Sequence, residues 1–217
     1  MHFHIISLFP HALDSYLGES ILKRAIEDKK IKVSFYNPRD FVRDPKDRVD
    51  KRPFGGGPGM IIQAEPVIKA IDKAIKNKKK VKIILLSPQG KQFTNLYAEK
   101  VAKKYTDVVI VSGRYEGIDA RIKKVFKMED VSIGPFVLTG GELPAMLMID
   151  VISRQVEGVL GNFNSREEVR TASNEVYTRP EIFTYKGKKY KVPKVLLSGH
   201  AAKIEEWRVK RTKRTSI

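Results

Sequence analysis

Apolar positions recur along this chain with two alternating periods. His2 to Phe9 is a short apolar run that reads as a buried strand, and Pro10 follows where a helix can start. Residues 11–29 put Leu13, Leu17, Ile21, Leu22 and Ile26 on one helical face, with a break expected near Gly18. Ile31 to Tyr36 alternates as a strand, with Ile31, Val33 and Phe35 against Lys32 and Ser34. Ala64 to Lys76 is an amphipathic helix through Val67, Ile68, Ile71 and Ile75. Val81 to Leu86 is nearly free of polar residues, as a central parallel strand covered on both faces should be. A helix over Phe93 to Lys104, a buried strand over Asp107 to Val111, a helix over Ile118 to Phe126, a strand over Glu129 to Ser132 and a strong helix over Glu142 to Val156 complete the pattern.

The alternation predicts consecutive strand–turn–helix units and an α/β fold on a parallel sheet. Three turns fall at strand C-terminal ends: Ser87–Gly90, Ser112–Gly117 and Ser132–Gly141. Ligands of open α/β sheets bind outside those ends, so the three turns could enclose a small polar cofactor with backbone groups. The third turn is the most constrained. Gly134, Pro135, Gly140, Gly141 and Pro144 forbid plain helix or strand, although a tight turn without a ligand fits that composition equally well. Upstream, a long charged loop from Asn37 to Arg52 runs into Pro53-Phe54-Gly55-Gly56-Gly57-Pro58-Gly59-Met60. It is not a Walker A loop, because Met60-Ile61-Ile62 stands where Gly-Lys-Ser/Thr would be required. It reads as backbone that must lie close to something flat or bulky, with Asp50 and Arg52 presented beside it.

Composition narrows the function. The 217 residues, 41% hydrophobic, make one large domain, or one domain with a small appendage. Without cysteine there is no disulfide, thiolate metal site or cysteine nucleophile, which suits a reducing, cytoplasmic setting. No signal peptide or membrane span is expected from the apolar runs. His2, His4 and His11 read as ordinary core or surface histidines, and no metal site is expected of them. The net charge of +17 points to a polyanion. It is concentrated: residues 176–217 hold twelve basic side chains against three acidic ones, interleaved with Phe183, Tyr185, Tyr190 and Trp207, and this clustering favours nucleic acid. The polar run 162–175 reads as a linker between a domain 1–161 and this basic module, 176–217.

Val49–Met60, Leu86–Gly90, Ser112–Asp119, Ser132–Ala145 and Tyr177–Pro180, taken in that order, resemble the bacterial tRNA (guanine-N1)-methyltransferases of the TrmD type. The resemblance covers nearly the whole chain. It implies a SPOUT-class catalytic domain with a deep trefoil knot, a small, mostly helical basic C-terminal domain that binds tRNA, and a homodimer. It also implies transfer of the methyl group of S-adenosyl-L-methionine to N1 of guanosine 37 in the anticodon loop. By position, Leu85, Leu86, Ser87, Pro88, Gly113, Tyr115, Glu116, Ser132, Ile133, Gly134, Pro135, Phe136, Val137, Leu138, Gly140 and Gly141 would hold the cofactor. Arg154 would be the catalytic arginine, and Asp50 and Arg52 would lie near the tRNA. Assistance by Mg2+ is not legible in the sequence.

The chemistry asks for little more. N1 of guanine carries a proton and becomes nucleophilic once a carboxylate removes it; the charge then moves to O6, where an arginine stabilises it. Here the chain departs from the family it resembles. The family's general base is a linker aspartate, and the position aligned with it is Val169, within Glu167-Glu168-Val169-Arg170. Glu168 is the expected base and Glu167 the second candidate, since a glutamate reaches one methylene further than an aspartate. At the end of the Trp207 helix, Ala201 to Lys213, and just after it, Lys210, Arg211, Lys213 and Arg214 are expected to supply electrostatic tRNA contacts. Two other readings remain at this level: a SPOUT RNA methyltransferase with another target nucleotide, or an RNA-binding homologue impaired in catalysis.

Overall fold

The computed structural model describes residues 1–44, 46–161 and 175–211. The chain divides into two compact units, Met1–Phe163 and Asn164–Ile217. The first is built on a five-stranded sheet of β1 (His2–Ile6), β2 (Lys32–Tyr36), β5 (Val81–Gln92), β6 (Asp107–Val111) and β7 (Glu129–Ser132), in the order β2-β1-β6-β5-β7. Every pairing in it is parallel. Period-two alternation sorts the strands' side chains into two cores. Phe3, Ile5, Ile84, Val108 and Ile110 face one side, and Ile6, Ile83, Leu85, Val109 and Val111 face the other.

Helices cover both faces. Helix α3 (Ala64–Ile75) buries Val67, Ala70, Ile71 and Ala74 in the second core, where the short α5 (Ile122–Val125) adds Ile122. Helices α1 (Asp14–Leu17), α2 (Ser20–Glu27), α4 (Asn95–Lys104) and α6 (Glu142–Ser153) contribute Leu17, Leu22, Ala98, Val101, Met148 and Ile149 to the first. Helix α4 starts where it should, because the Thr94 hydroxyl accepts the Tyr97 amide at 3.2 Å.

Four expectations change. Residues 11–29 split around Gly18 as foreseen, but Ile21 is exposed rather than core. The charged loop is not wholly irregular: it holds a 3-10 turn, Pro38–Phe41, and ends in β3 (Asp50–Lys51), which pairs antiparallel with β4 (Ile61–Ile62). The glycine-rich stretch is therefore the tip of a hairpin. Of the expected helix 118–126 only α5 is helical, since Ile62 N–H donates to Gly117 and Asp119 N–H donates to Ile62, spending the preceding backbone on β4. Finally, β5 does not stop at Leu86. It runs through Ser87–Gly90, and its register against β7 shifts between Leu86 and Lys91. A Cβ on Gly90 would overlap the Asp130–Val131 backbone, so a glycine is needed for that strand to pass.

The second unit contains a hairpin, β8 (Ile182–Tyr185) with β9 (Lys188–Lys191), followed by α7 (Lys194–Leu197) and α8 (Ala201–Arg211). The expectation of a mostly helical module missed this hairpin, whose turn is Lys186-Gly187, both at positive φ. The linker expected at 162–175 lies outside the described residues except for Glu175.

At the N-terminal edge of the sheet, burial pushes the His2 imidazole down to about 4 and also lowers that of buried His4. Among the described residues no helix is long and apolar enough to cross a membrane.

Candidate active site

Because β6, β5 and β7 are neighbours, the segments after Val111, Leu86 and Ser132 emerge side by side. Between them lies a cleft of about 310 Å³, within the range of small-ligand sites. Leu86, Ser87 and Pro88 line it from β5, and Gly113, Tyr115 and Glu116 from the turn after β6. Ser132, Ile133, Phe136, Val137, Leu138, Gly140 and Gly141 line it from the third turn. Thirteen of the sixteen expected cofactor-holding residues therefore meet at one place. Leu85 does not line the cleft; its side chain is packed into the second core, as the alternation of β5 dictates. Gly134 and Pro135 also fall outside the lining. Gly134 braces the turn instead, its N–H donating to Ser132 Oγ and its carbonyl accepting from the same hydroxyl.

The third turn folds back onto the second. Gly141 N–H donates to the Gly113 carbonyl at 2.9 Å, and Ser112 Oγ donates to the Gly141 carbonyl at 3.1 Å. A Cβ on Gly141 would sit 2.7 Å from Ser112 Cα and 2.9 Å from Gly113 N, closer than real atoms approach. Glycine at 141 thus allows the backbone of the third turn to lie against that of the second.

Arg114, Gly117, Val131, Thr139 and Pro144 also line the cleft and were not anticipated. Arg114 matters most. Its Nε lies 2.8 Å from Glu142 Oε2, off the N–H direction, its Nη1 donates to the Thr139 carbonyl at 3.2 Å, and its guanidinium stacks 4.8 Å above the Phe9 ring. Glu142, only 5% exposed, also accepts from Ser7 Oγ at 2.8 Å. These contacts tie the end of β1, the turn after β6, the third turn and the start of α6 together. The sequence offered one clue, a lone arginine inside a glycine-bearing turn, but its partner stands 28 residues later and only the fold joins them.

The glycine-rich hairpin tip docks beside this cleft. The Glu116 amide donates to the Met60 carbonyl, and a Cβ on Gly59 would meet the Glu116 side chain at 2.7 Å. Gly55, Gly56 and Gly57, all at positive φ, would meet nothing, and Phe54 at the tip is fully exposed. Asp50 and Arg52 diverge in setting. Arg52 is exposed, whereas Asp50 is 5% exposed and is held by Arg48 through Nε and Nη2 at 3.3 and 3.2 Å.

Arg154 is placed elsewhere. It caps the C-terminal end of α6 and lines a second cleft of about 210 Å³ with Tyr16, Glu19, Ser20, Ile21, Leu22, Asp150, Val159 and Leu160. At 1.5 Å per residue, α6 carries it roughly 20 Å from Gly141. Leu143 and Leu147, one helical turn apart on this otherwise apolar helix, are exposed in the single chain. Glu167, Glu168, Lys213 and Arg214 lie outside the described residues, as does the side chain of Arg211. Lys210 is on α8, paired with Glu206 at 2.6 Å.

In the second unit the aromatic side chains lie open among the lysines. Phe183 and Tyr190 stack at 5.1 Å, Lys188 lies over the Tyr190 ring, and Lys186 lies over that of Tyr185.

Residues 1–217 match the family model of the tRNA (Guanine-1)-methyltransferase TrmD. The chain belongs to that family. It is 44% identical over 208 residues to a tRNA (guanine-N(1)-)-methyltransferase of Campylobacter jejuni subsp. doylei, covering 94% of this chain and 88% of that one. It is 44% identical over 214 residues to one of Clostridioides difficile, covering 96% and 90%. Among solved structures, the tRNA (m1G37) methyltransferase from Aquifex aeolicus superposes with a TM-score of 0.78 at 37% identity, covering 97% of this chain and 88% of that one. The parallel α/β architecture built up above is thus that of a TrmD-family methyltransferase, whose methyl donor is S-adenosylmethionine.

Proposed function

We propose that this chain transfers the methyl group of S-adenosylmethionine to N1 of guanosine 37 in tRNA. The observation that carries the reading is the convergence of three glycine-bearing segments on one cleft, in a chain that matches the TrmD family from end to end. The donor, when bound there, supplies an electrophilic methyl on a sulfonium. The cleft residues hold it: main-chain groups around Gly113, Leu138 and Gly141 can meet its polar ends, while Leu86, Ile133 and Pro144 flank its apolar parts. Glu116 is the one carboxylate among the described lining residues, and it and the linker carboxylates are the groups that would hold an assisting Mg2+. A linker carboxylate, Glu168 before Glu167, removes the N1 proton, and Arg154 stabilises the charge that develops on O6.

The knot implied by family membership belongs to this proposal, in keeping with the hydrogen bonds that join the third turn to the second. So do the division into catalytic domain, linker and tRNA-binding module, and the cytoplasmic setting. The homodimer belongs to it as well. Arg154 stands a helix length from its own cleft, so a second copy must deliver it, and Leu143, Leu147, Tyr16 and Ile21, all exposed in the single chain, offer apolar surface to bury in that contact.

The deciding experiment is methyl transfer from labelled S-adenosylmethionine to a tRNA transcript with guanosines at 36 and 37. Glu168→Gln should lower turnover about 10²–10⁴-fold, the usual contribution of a positioned base, with tRNA and cofactor binding retained. Equal turnover would move the base to Glu167 or elsewhere. A wild-type chain inactive on every tRNA, yet able to bind both ligands, would favour an RNA-binding homologue.

Removing residues 211–217 takes away Arg211, Lys213 and Arg214. If all three sit on phosphates, the slope of log K against log salt should flatten by roughly two to three. An unchanged slope would mean that the tail does not touch RNA.

A further inference from the structure

We propose that His2, His4 and Asp107 form a binding site for a divalent transition metal of the zinc class, at the edge of the sheet opposite the methyl-transfer cleft. The site is made by strand pairing. His2 and His4 are two residues apart on β1 and share a face, and Asp107 on β6 pairs in register with His2. His4 Nε2 lies 2.9 Å from Asp107 Oδ1, and His2 Nδ1 lies 3.7 Å from the same oxygen. The three ligand atoms all fall within 4.8 Å of one another.

A tetrahedral zinc with ligands at about 2.0–2.1 Å separates its donors by about 3.3 Å. The observed 2.9 and 3.7 Å bracket that value, and the two ring nitrogens lie no more than 4.8 Å apart, so rotamer adjustment would bring the three donors onto one ion. The opposite ring nitrogens are already engaged. His2 Nε2 meets Ser34 Oγ at 2.9 Å, and His4 Nδ1 meets the Tyr36 hydroxyl at 3.2 Å. Hydroxyl partners behind each imidazole are the outer-shell arrangement that orients histidine ligands, and either can accept an N–H once the other nitrogen coordinates.

Two nitrogens and one carboxylate oxygen suit zinc, nickel or copper rather than magnesium, which prefers an all-oxygen shell. His4 is buried while 18% of the His2 side chain is exposed, leaving a side from which solvent can supply the remaining ligand. Lys78 opposes the site, 3.5 Å from Asp107 Oδ1; its side chain, 34% exposed, must turn outward when the metal enters. Asp107 also accepts from the Thr106 hydroxyl through Oδ2, which leaves Oδ1 as the coordinating oxygen.

Zinc chloride titrated into the full-length protein, followed by calorimetry and thermal unfolding, tests this. One zinc per chain is expected. At a hundredfold excess over Kd the unfolding midpoint should rise by roughly 5–10 °C. Both signals should vanish in His2→Ala, whose partly exposed ring can be removed with little change to the metal-free fold, and in Asp107→Asn, which keeps the shape of the side chain. Both should persist in His11→Ala, which removes the exposed His11–Asp14 pair. Cobalt substitution should give the intense visible bands of a low-coordinate site in wild type and not in His2→Ala. Zinc uptake that survives both His2→Ala and Asp107→Asn, or binding with no rise in the unfolding midpoint, would overturn the proposal. Methyl transfer should be indifferent to zinc at the site stoichiometry, because the length of β6, roughly 13 Å, separates this edge from the cleft.

Discussion

Arg154→Ala is expected to lower turnover about 10²–10³-fold, the cost of deleting one preorganised group that stabilises a developing oxyanion, equivalent to about 2.7–4 kcal/mol. S-adenosylmethionine affinity should be retained, because Arg154 acts on the guanine and not on the cofactor; within its own chain it stands a helix length from the cleft. The same geometry makes a second measurement decisive. If the cleft of one copy works with Arg154 of another, then an Arg154→Ala chain mixed with one whose cleft is disabled should regain activity. Random reassortment of a two-fold dimer would give about a quarter of the wild-type rate, from the half of dimers that carry one competent site. Normal turnover in the single variant would remove Arg154 from the mechanism. Absence of recovery in a mixture that demonstrably exchanges subunits would place the arginine and the cleft in the same chain.

Gly141→Val should disable the cleft. The residue sits at φ −85°, where any amino acid is comfortable, so the penalty comes from space and not from backbone strain. The neighbours it would strike, Ser112 Cα and Gly113 N, are main chain and cannot swing aside. Overpacking of this kind costs about 1–3 kcal/mol, and the rigid neighbours place the substitution at the upper end, so S-adenosylmethionine affinity should fall by roughly 10²-fold. Gly141→Ala should weaken binding in the same direction by less. Gly161→Ala, where a Cβ would meet nothing, is the control and should leave both binding and unfolding unchanged. Calorimetric titration of the cofactor checks all three, with circular dichroism to confirm the fold; wild-type affinity in Gly141→Val would mean that the contact between the second and third turns does not shape the site.

The residues that line the cleft were largely visible in the chain because they gather in the turns at strand ends. Glycines and prolines placed at strand ends announce those turns locally, and the order of short motifs announces the family. Arg114 was missed because its meaning lies in Glu142, Thr139 and Phe9, none of them a sequence neighbour. Leu85 was assigned to the cofactor, and the parity of β5 turns it into the opposite core instead. The hairpin β3–β4 was hidden because each strand is two residues long, too short for any period to register. The hairpin β8–β9 was hidden because its residues are exposed on both faces, so no apolar alternation marked it.

The sequence by itself determined the layered α/β plan, the places where backbone must bend at strand ends, the concentration of basic charge toward the C-terminus and the family. All of these are encoded by local period, composition or contiguous motif. Only the tertiary structure decided which turns meet, that Arg154 is absent from the cleft it was expected to serve, and that two histidines at the N-terminus stand beside an aspartate more than a hundred residues away. Those facts rest on strand order and register, which are fixed by how two faces of one sheet are covered at once. No local pattern carries that information, because the free energy that selects it comes from burial shared among segments distant in the chain.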